Sequence, residues 1–269
     1  MRYLILGSSG QVGNALKNFY GNSAVGCDMV ESENEDLRYH TTQIEKKISQ
    51  ADFIHFMAFD VGGSRYLQKY QNTFEFIDNN MRIMQNTFSL IKKHNKPFIF
   101  ASSQMSNMDY SSYGTLKRVG EWYTKILGGI TVKFWNVYGI EHDLEKSHVI
   151  TDFIIKAKDS GVIDMMTDGT EERQFLYSED CCEALDVLKT NYDTIDRNRE
   201  LHITNHKWST ILDVANEVVK HFPAKVIPNS KKDMVQQNKR NEPDPYILEY
   251  WQPKTSLADG IKKICEHYV

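Results

Sequence analysis

Through the first half of the chain, short apolar runs alternate with amphipathic stretches, the arrangement of β-α-β units that build a parallel sheet. Tyr3–Leu6, Ala24–Cys27, Phe53–Met57, Pro97–Ala101 and Thr131–Trp135 read as strands, with helical patterning at Val12–Tyr20, Thr42–Ser49, Thr73–Lys93 and Tyr113–Leu127. The 73–93 stretch carries Phe74, Ile77, Met81, Met84, Phe88 and Ile91 at helical spacing. It and the similarly amphipathic 113–127 stretch fit packing on each other and against a symmetry mate. After about residue 140 the pattern loosens. Helices are expected near 148–159, 179–190, 209–221 and 255–267, and short strands near 162–166 and 224–227. The segment from Pro228 to Pro253 is polar, holds four of the six prolines and reads as an extended connection. The pattern is that of a nucleotide-binding sheet followed by a smaller lobe that closes a cleft.

Composition narrows the class without naming a function. The 269 residues are 41% hydrophobic and 25% charged, with a net charge of -4, as in soluble globular proteins. No apolar run approaches the roughly 20 residues of a membrane span, and the apolar stretch in Met1–Gly7 is too short for a signal peptide. The expectation is a cytoplasmic protein with no membrane partner, and the mild acidity offers no electrostatic attraction to nucleic acid. The adjacent Cys181 and Cys182, with Cys27 and Cys265, lack zinc-ligand spacing and form no disulfide framework. They read as buried free thiols, and no metal is expected.

The candidate chemistry begins with Gly7-Ser8-Ser9-Gly10-Gln11-Val12-Gly13, which follows an apolar strand and opens a helix. Glycines there permit a tight turn and let the backbone approach a pyrophosphate at the positive end of the helix. Asp28 ends the second strand, where a carboxylate accepts hydrogen bonds from ribose hydroxyls and repels a 2′-phosphate. No arginine or lysine lies between Gly21 and Val30, so the expected cofactor is NAD rather than NADP. Asp36 and Leu37, just beyond, are placed to reach the adenine edge. Farther along, Tyr113 and Lys117 stand four residues apart and project from one helical face. An ammonium beside a phenol favours the phenolate and lowers a pKa that is otherwise near 10. That makes the pair a candidate proton-transfer group.

With these residues in order, the chain resembles the extended short-chain dehydrogenase/reductase family, which comprises nucleotide-sugar epimerases, dehydratases and reductases. The resemblance runs through the glycine loop, Ile54-His55-Phe56-Met57-Ala58, Asn80 with Asn86, Ala101-Ser102-Ser103, the Tyr113/Lys117 pair with Gly120-Glu121, Phe134–Gly139 and Glu172–Tyr177. It implies an α/β fold: a Rossmann-type doubly wound parallel sheet with a smaller mixed C-terminal substrate-binding lobe. The NAD-binding part would span 1–145 and the lobe 146–269, with part of about 170–205 returning to the sheet. Met57, Ala58 and Asn80 join the glycine loop, Asp28, Asp36, Leu37, Tyr113 and Lys117 as cofactor-binding residues. Ser103 would bind the substrate oxygen, Tyr113 act as acid/base, and Lys117 hold the nicotinamide ribose; for Ser103, strand-end capping is the alternative reading. Asn136 and Arg173 would meet the nucleotide diphosphate. Arg240 falls where relatives place a second such arginine, or else is a solvated loop cation. The expected partner is a nucleotide-diphosphate sugar, and the expected assembly a homodimer.

Two departures shape the functional reading. Dehydratases of this family resemble one another in carrying Asp-Glu after the serine, decarboxylases a glutamate and 3,5-epimerising enzymes a cysteine at the second position. Here Gln104 and Met105 follow Ser103, and neither transfers protons near neutral pH. Only ten residues separate Ser103 from Tyr113, which fits a more open pocket and leaves Ser102 and Ser106 as alternative alignments of the serine. Asp60-Val61-Gly62-Gly63-Ser64 either brings Ser64 or Arg65 to the sugar or is a turn with positive φ at the glycines. The leading expectation is an NAD-dependent nucleotide-sugar epimerase, inverting C4 through a transient ketone. The alternatives are an NAD(P)H-dependent reductase of a nucleotide-linked 4-keto sugar and a non-catalytic NAD-binding regulator.

Overall fold

The structure, a computed structural model, describes residues 1–233, 235 and 241–268. The chain runs β1 (Tyr3–Leu6), α1 (Gln11–Tyr20), β2 (Ala24–Cys27), α2 (Thr42–Gln50), β3 (Phe53–Phe56), α3 (Ser64–Tyr70), α4 (Phe74–His94), β4 (Phe98–Ser103), α5 (Ser112–Ile126) and β5 (Ile130–Phe134). It continues β6 (Asn136–Tyr138), α6 (Val149–Ser160), β7 (Val162–Asp164), β8 (Glu172–Tyr177), α7 (Ser178–Thr190), β9 (Leu201–Ile203), β10 (Trp208–Thr210), α8 (Ile211–Val219), β11 (Lys225–Ile227) and α9 (Leu257–Tyr268).

Period-two alternation sends successive strand side chains to opposite faces of the main sheet. Leu4, Leu6, Ile54, Phe56, Phe98 and Phe100 meet α2, α4 and α5 on one face. Ile5, Phe53, Ile99 and Val132 meet α1 and α7 on the other. The result is a six-stranded sheet in the order β2-β1-β3-β4-β5-β9, parallel at each pairing. Strand order reverses beside β1, which places a crevice at the carboxyl ends of the strands. The remaining elements form a smaller mixed lobe. In it β8 pairs antiparallel with β10 and parallel with β6, β7 pairs with β11, and α6, α8 and α9 enclose an apolar core around Ile154, Ile163, Val214 and Ile264. This is the expected doubly wound architecture.

The elements visible in the hydrophobic pattern form within a residue or two of their expected bounds at most positions, while α3, β6, β8, β9 and β10 had no periodic signature. Four of these strands or helices are too short for one: β6, β9 and β10 have three residues each, and in α3 Leu67 is the buried position. In β8 the outer residues Glu172 and Arg173 are polar and mask the buried Gln174–Tyr177. The 228–253 segment also departs from a purely extended connection. Pro245–Glu249 forms a 3₁₀ turn capped by Asp244, and its Tyr246 and Ile247 join the core beside Leu201 and Ile203.

Two close approaches set the position of α5 on the sheet. A side chain at Gly114 would collide with the carbonyl of Met105, and one at Gly120 with the ring of Phe100. The helix therefore lies close enough to β4 for Tyr113 and Lys117 to reach the strand's carboxyl end. Ser111 caps it, its hydroxyl accepting from Gly114 N at 3.0 Å. Gly62 and Gly63 are not positive-φ residues, which removes the left-handed turn foreseen for that loop. They are instead closely packed, since a Cβ on Gly63 would meet the carbonyl oxygen of Ser147.

Candidate active site

A cavity of about 640 Å³ opens at the carboxyl ends of the main strands, and one of about 410 Å³ adjoins it against the smaller lobe. The larger is lined by Gly7, Ser9–Gly13, Asp28, Asp36, Leu37, Met57 and Ala58 at one end and by Ser103, Tyr113 and Lys117 at the other. The smaller contains Arg173, and both share a wall made by Gly63, Ser64, Asn136, Val137 and His148.

The glycine loop fits a dinucleotide. Gly7 has φ +84°, and a Cβ on it would lie 2.7 Å from Cα of Ala58, so neither its conformation nor its surroundings admit a side chain. A Cβ on Gly13 would collide with the Gly7 carbonyl. The turn is consequently tight, and Gly10 leads directly into α1, whose amino end faces the cleft. That is the cradle a pyrophosphate requires. Asp28 accepts from Ser9 N at 2.9 Å and from Val30 N at 3.0 Å, which fixes its carboxylate beside the loop. Asp36 holds Arg38 in a fork, with Nη2 2.6 Å from Oδ2. Arg38, which the sequence reading passed over, thus lines the cofactor cleft with its charge already matched.

Asn80 is the cofactor candidate that the structure does not bring to the cleft. It is fully buried, accepts from Asp60 N at 2.7 Å and donates to the carbonyls of Asp60 and Phe76. Its amide is used in pinning the loop after β3. Asn86 acts similarly, donating to Leu37 O at 3.2 Å.

At the other end, Tyr113 is 8% exposed and Lys117 3%. Burial pushes the phenol up to about 12, against the opposing pull of a hydrogen bond from Ser103. Burial draws the lysine down to about 7, opposed by the charge of Glu121. Lys117 Nζ donates to Ala101 O at 2.6 Å and sits 3.8 Å from the centre of the Phe59 ring. This corrects the expectation that proximity to lysine lowers the tyrosine: in this state loss of water around the phenol outweighs any help from the ammonium. Ser103 also accepts from Met105 N at 3.2 Å, so capping and tyrosine contact coexist in one hydroxyl. Of the alternative serines, Ser102 is bonded to Glu121 and Ser106 is buried away from the cleft.

The residues after the serine are buried, with Met105 in the cleft wall. Gln104 and Met105 are 4% and 2% exposed, and Asn241 Nδ2 donates to both Gln104 O and Oε1, at 3.1 and 2.9 Å. Asn136 donates to Gln174 O at 3.4 Å, and Arg173 is held by Asp233 at 2.6 Å. Arg65, one of the loop candidates, pairs with Asp152 across the smaller cavity. Arg240 lies outside the described residues.

A pair at the shared wall left no trace in the hydrophobic pattern. His148 Nδ1 lies 2.6 Å from Glu141 Oε1, and His148 N donates to Oε2 at 2.9 Å. Loss of solvation disfavours a charge on the imidazole, but the Glu141 charge and hydrogen bond outweigh it and raise its pKa above the ordinary histidine value. Seven residues apart in a loop, the two had no periodicity to reveal them. Among the described residues no group of three or more His, Cys, Asp or Glu side chains is placed to hold a metal ion, and no helix is long and apolar enough to cross a membrane.

Known proteins give this geometry its context. GDP-L-fucose synthase of Sinorhizobium fredii is 30% identical over 181 residues, covering 58% of this chain and 57% of that enzyme, so the chain spans little more than half of this curated relative. UDP-glucose 4-epimerase of Thermus thermophilus, solved with NAD, superposes with a TM-score of 0.78 at 16% identity, over 100% of this chain and 99% of that one. UDP-glucuronic acid 4-epimerase of Bacillus cereus, solved with UDP-glucuronic acid and NAD, gives 0.79 at 20% identity, over 99% and 98%. At such identities the structures establish a shared fold. The sequence match is broader in kind, because residues 3–204, from the first strand through β9, follow a single family pattern whose cofactor is NAD. The chain therefore belongs to the NAD dependent epimerase/dehydratase family.

Proposed function

We propose that the protein is a nucleotide-sugar epimerase that inverts C4 of the sugar through a transient ketone. The observation that carries this reading is the placement of Ser103, Tyr113 and Lys117 in the cofactor cleft, beside the wall shared with the Arg173 cavity. A sugar at that junction has its diphosphate toward Arg173 and Asn136, and the arginine's planar fork suits phosphate oxygens. NAD bound in the cleft would supply a reversible hydride acceptor for the sugar carbon and a cationic ring whose charge favours the phenolate. Tyr113 takes the hydroxyl proton as the C4–H bond breaks and gives it back on reduction, while Ser103 holds the oxygen. Lys117, buried on the same helical face as Tyr113, is positioned to bond ribose hydroxyls. Gln104 and Met105 supply no acid or base for elimination, so oxidation and reduction at one carbon is the chemistry these residues favour.

A second reading rests on His148. A histidine oriented by Glu141 on the shared wall is a further proton donor, and such a donor fits reduction of a nucleotide-linked keto sugar. The similarity to GDP-L-fucose synthase favours the same reading. The apolar residues left exposed on α4 and α5, Phe74 at 77%, Trp122 at 62% and Ile126 at 77%, support a homodimer built on these helices.

The test separates the two reactions. Purified protein is denatured and the supernatant assayed for NAD, and untreated protein is given UDP-, GDP-, CDP- and dTDP-sugars without added cofactor. About one NAD per chain with conversion to the C4 epimer supports the epimerase. Turnover only with added NAD(P)H and a keto sugar supports the reductase. If Tyr113→Phe turns over as fast as wild type, the catalytic assignment is wrong.

A further inference from the structure

We propose that Glu121 is a positioning residue for Lys117, the fixed anion that keeps this buried ammonium charged and directed into the cofactor cleft. The inference rests on the reading of Ser103, Tyr113 and Lys117 as the reacting set and adds to it a residue outside the contacts with sugar or cofactor.

Geometry supplies the argument. Glu121 follows Lys117 by four residues on α5, so both lie on one helical face. The Glu121 carboxylate accepts from Ser102 Oγ at 2.5 Å and lies 3.8 Å from Lys133 Nζ on β5. Three successive residues of β4 thus organise the centre: Ala101 receives the lysine, Ser102 holds the carboxylate, and Ser103 faces the tyrosine.

Two lysines are buried around this one carboxylate, Lys117 at 3% and Lys133 at 4% exposure. Lys133 has a second anion, Glu200 at 2.6 Å, and an amide oxygen, Asn107 Oδ1 at 2.8 Å. Lys117 has no directly bonded carboxylate among the described residues; a carbonyl and the Phe59 and Phe100 rings surround it. A buried ammonium without an anion sheds its proton. Tyr113 and Glu121 share its helix, Lys133 on β5 lies beside Glu121, and Asp60 lines the same cleft. Asp60 is taken up by Tyr66, Asn79 and Lys146. Glu121 is left as the group able to balance Lys117, consistent with its opposing the effect of burial.

The experiment labels lysine Cε with ¹³C and follows the Lys117 resonance, identified by its loss in Lys117→Arg, through a pH titration. Glu121→Gln lowers the protonation midpoint by about one pH unit or more. Glu121→Asp restores most of it, and Ser102→Ala, which frees the carboxylate without removing it, gives a smaller shift of the same sign. Glu200→Gln, on the far side of Lys133, leaves the midpoint near that of wild type. An unchanged midpoint in both Glu121→Gln and Ser102→Ala overturns the proposal, whether or not any substrate is known. Where turnover is measurable, kcat of Glu121→Gln falls at its alkaline limb at lower pH than wild type, with KM for the sugar unchanged. Failure of wild type to turn over any nucleotide sugar would remove the catalytic reading and leave the titration result standing.

Discussion

His55 makes the fold acid-sensitive, and the size of the effect follows from its surroundings. The residue sits on the central strand β3, fully buried, and neither ring nitrogen has a hydrogen-bond partner among the described residues. Its ring lies 5.3 Å from that of Tyr20 and 5.2 Å from that of Phe53. Burial lowers its pKa to about 3, Lys189 acts in the same direction, and Asp186 opposes. In the unfolded chain the value returns to about 6.5. Between those limits the unfolded state binds the extra proton, so stability rises with pH and is lost as pH falls below about 6.5. The linkage gives a loss of about 2 kcal/mol by about pH 5 and about 3 kcal/mol by about pH 4. His55→Leu removes this dependence and also removes two unpartnered polar atoms, each of which costs about 1–3 kcal/mol when buried. Urea unfolding followed by circular dichroism at about pH 7.5 and about pH 5 measures both effects. The variant is expected to match or exceed wild type at the higher pH and to lose about 2 kcal/mol less on acidification. An equal loss in the two proteins would refute the reasoning.

Other consequences are equally direct. Gly13→Ala places a methyl against the Gly7 carbonyl and should weaken NAD binding about 100-fold by calorimetry, with circular dichroism unchanged; equal affinity would show that the loop relaxes. Asp28→Ala removes the carboxylate beside Ser9 and should reduce the preference for NAD over NADP about tenfold, a change of about 1.4 kcal/mol read from the two dissociation constants. Trp122→Glu with Ile126→Glu places charges on the exposed face of α5 and should convert a dimeric mass in light scattering to a monomeric one; a monomeric wild type would remove the dimer altogether.

How far the sequence revealed this molecule depended on what made each element recognisable. The main sheet was legible because burial on both faces makes each strand a short apolar run, as at Leu4, Ile5 and Leu6 and at Ile54, Phe56 and Phe100. The glycine loop was legible because Gly7 and Gly13 answer to backbone constraints that act within a dozen residues. The short strands of the lobe lacked any such period, and β9 reaches the sheet only through its pairing with β5. Site chemistry divided in the same way. Tyr113 and Lys117 lie on one helix, so their spacing showed them together, whereas Glu141 with His148 and Asp60 with Lys146 meet only once loops have folded. Asn80 was misplaced because position on a helix does not reveal which backbone groups a buried amide must satisfy. The tyrosine's pKa ran opposite to the local argument because desolvation depends on everything packed around it.

In the proposed reaction hydride leaves and returns at a single carbon with Tyr113 carrying the proton. The most direct measurement uses UDP-glucose, or whichever nucleotide sugar the panel selects, carrying deuterium at C4, incubated with the purified protein and no added cofactor. Mass spectrometry and NMR of the product are expected to show the C4 epimer with its deuterium retained, and Tyr113→Phe to slow conversion about 100-fold or more. Loss of the deuterium to solvent, or conversion by Tyr113→Phe at the wild-type rate, would contradict the account.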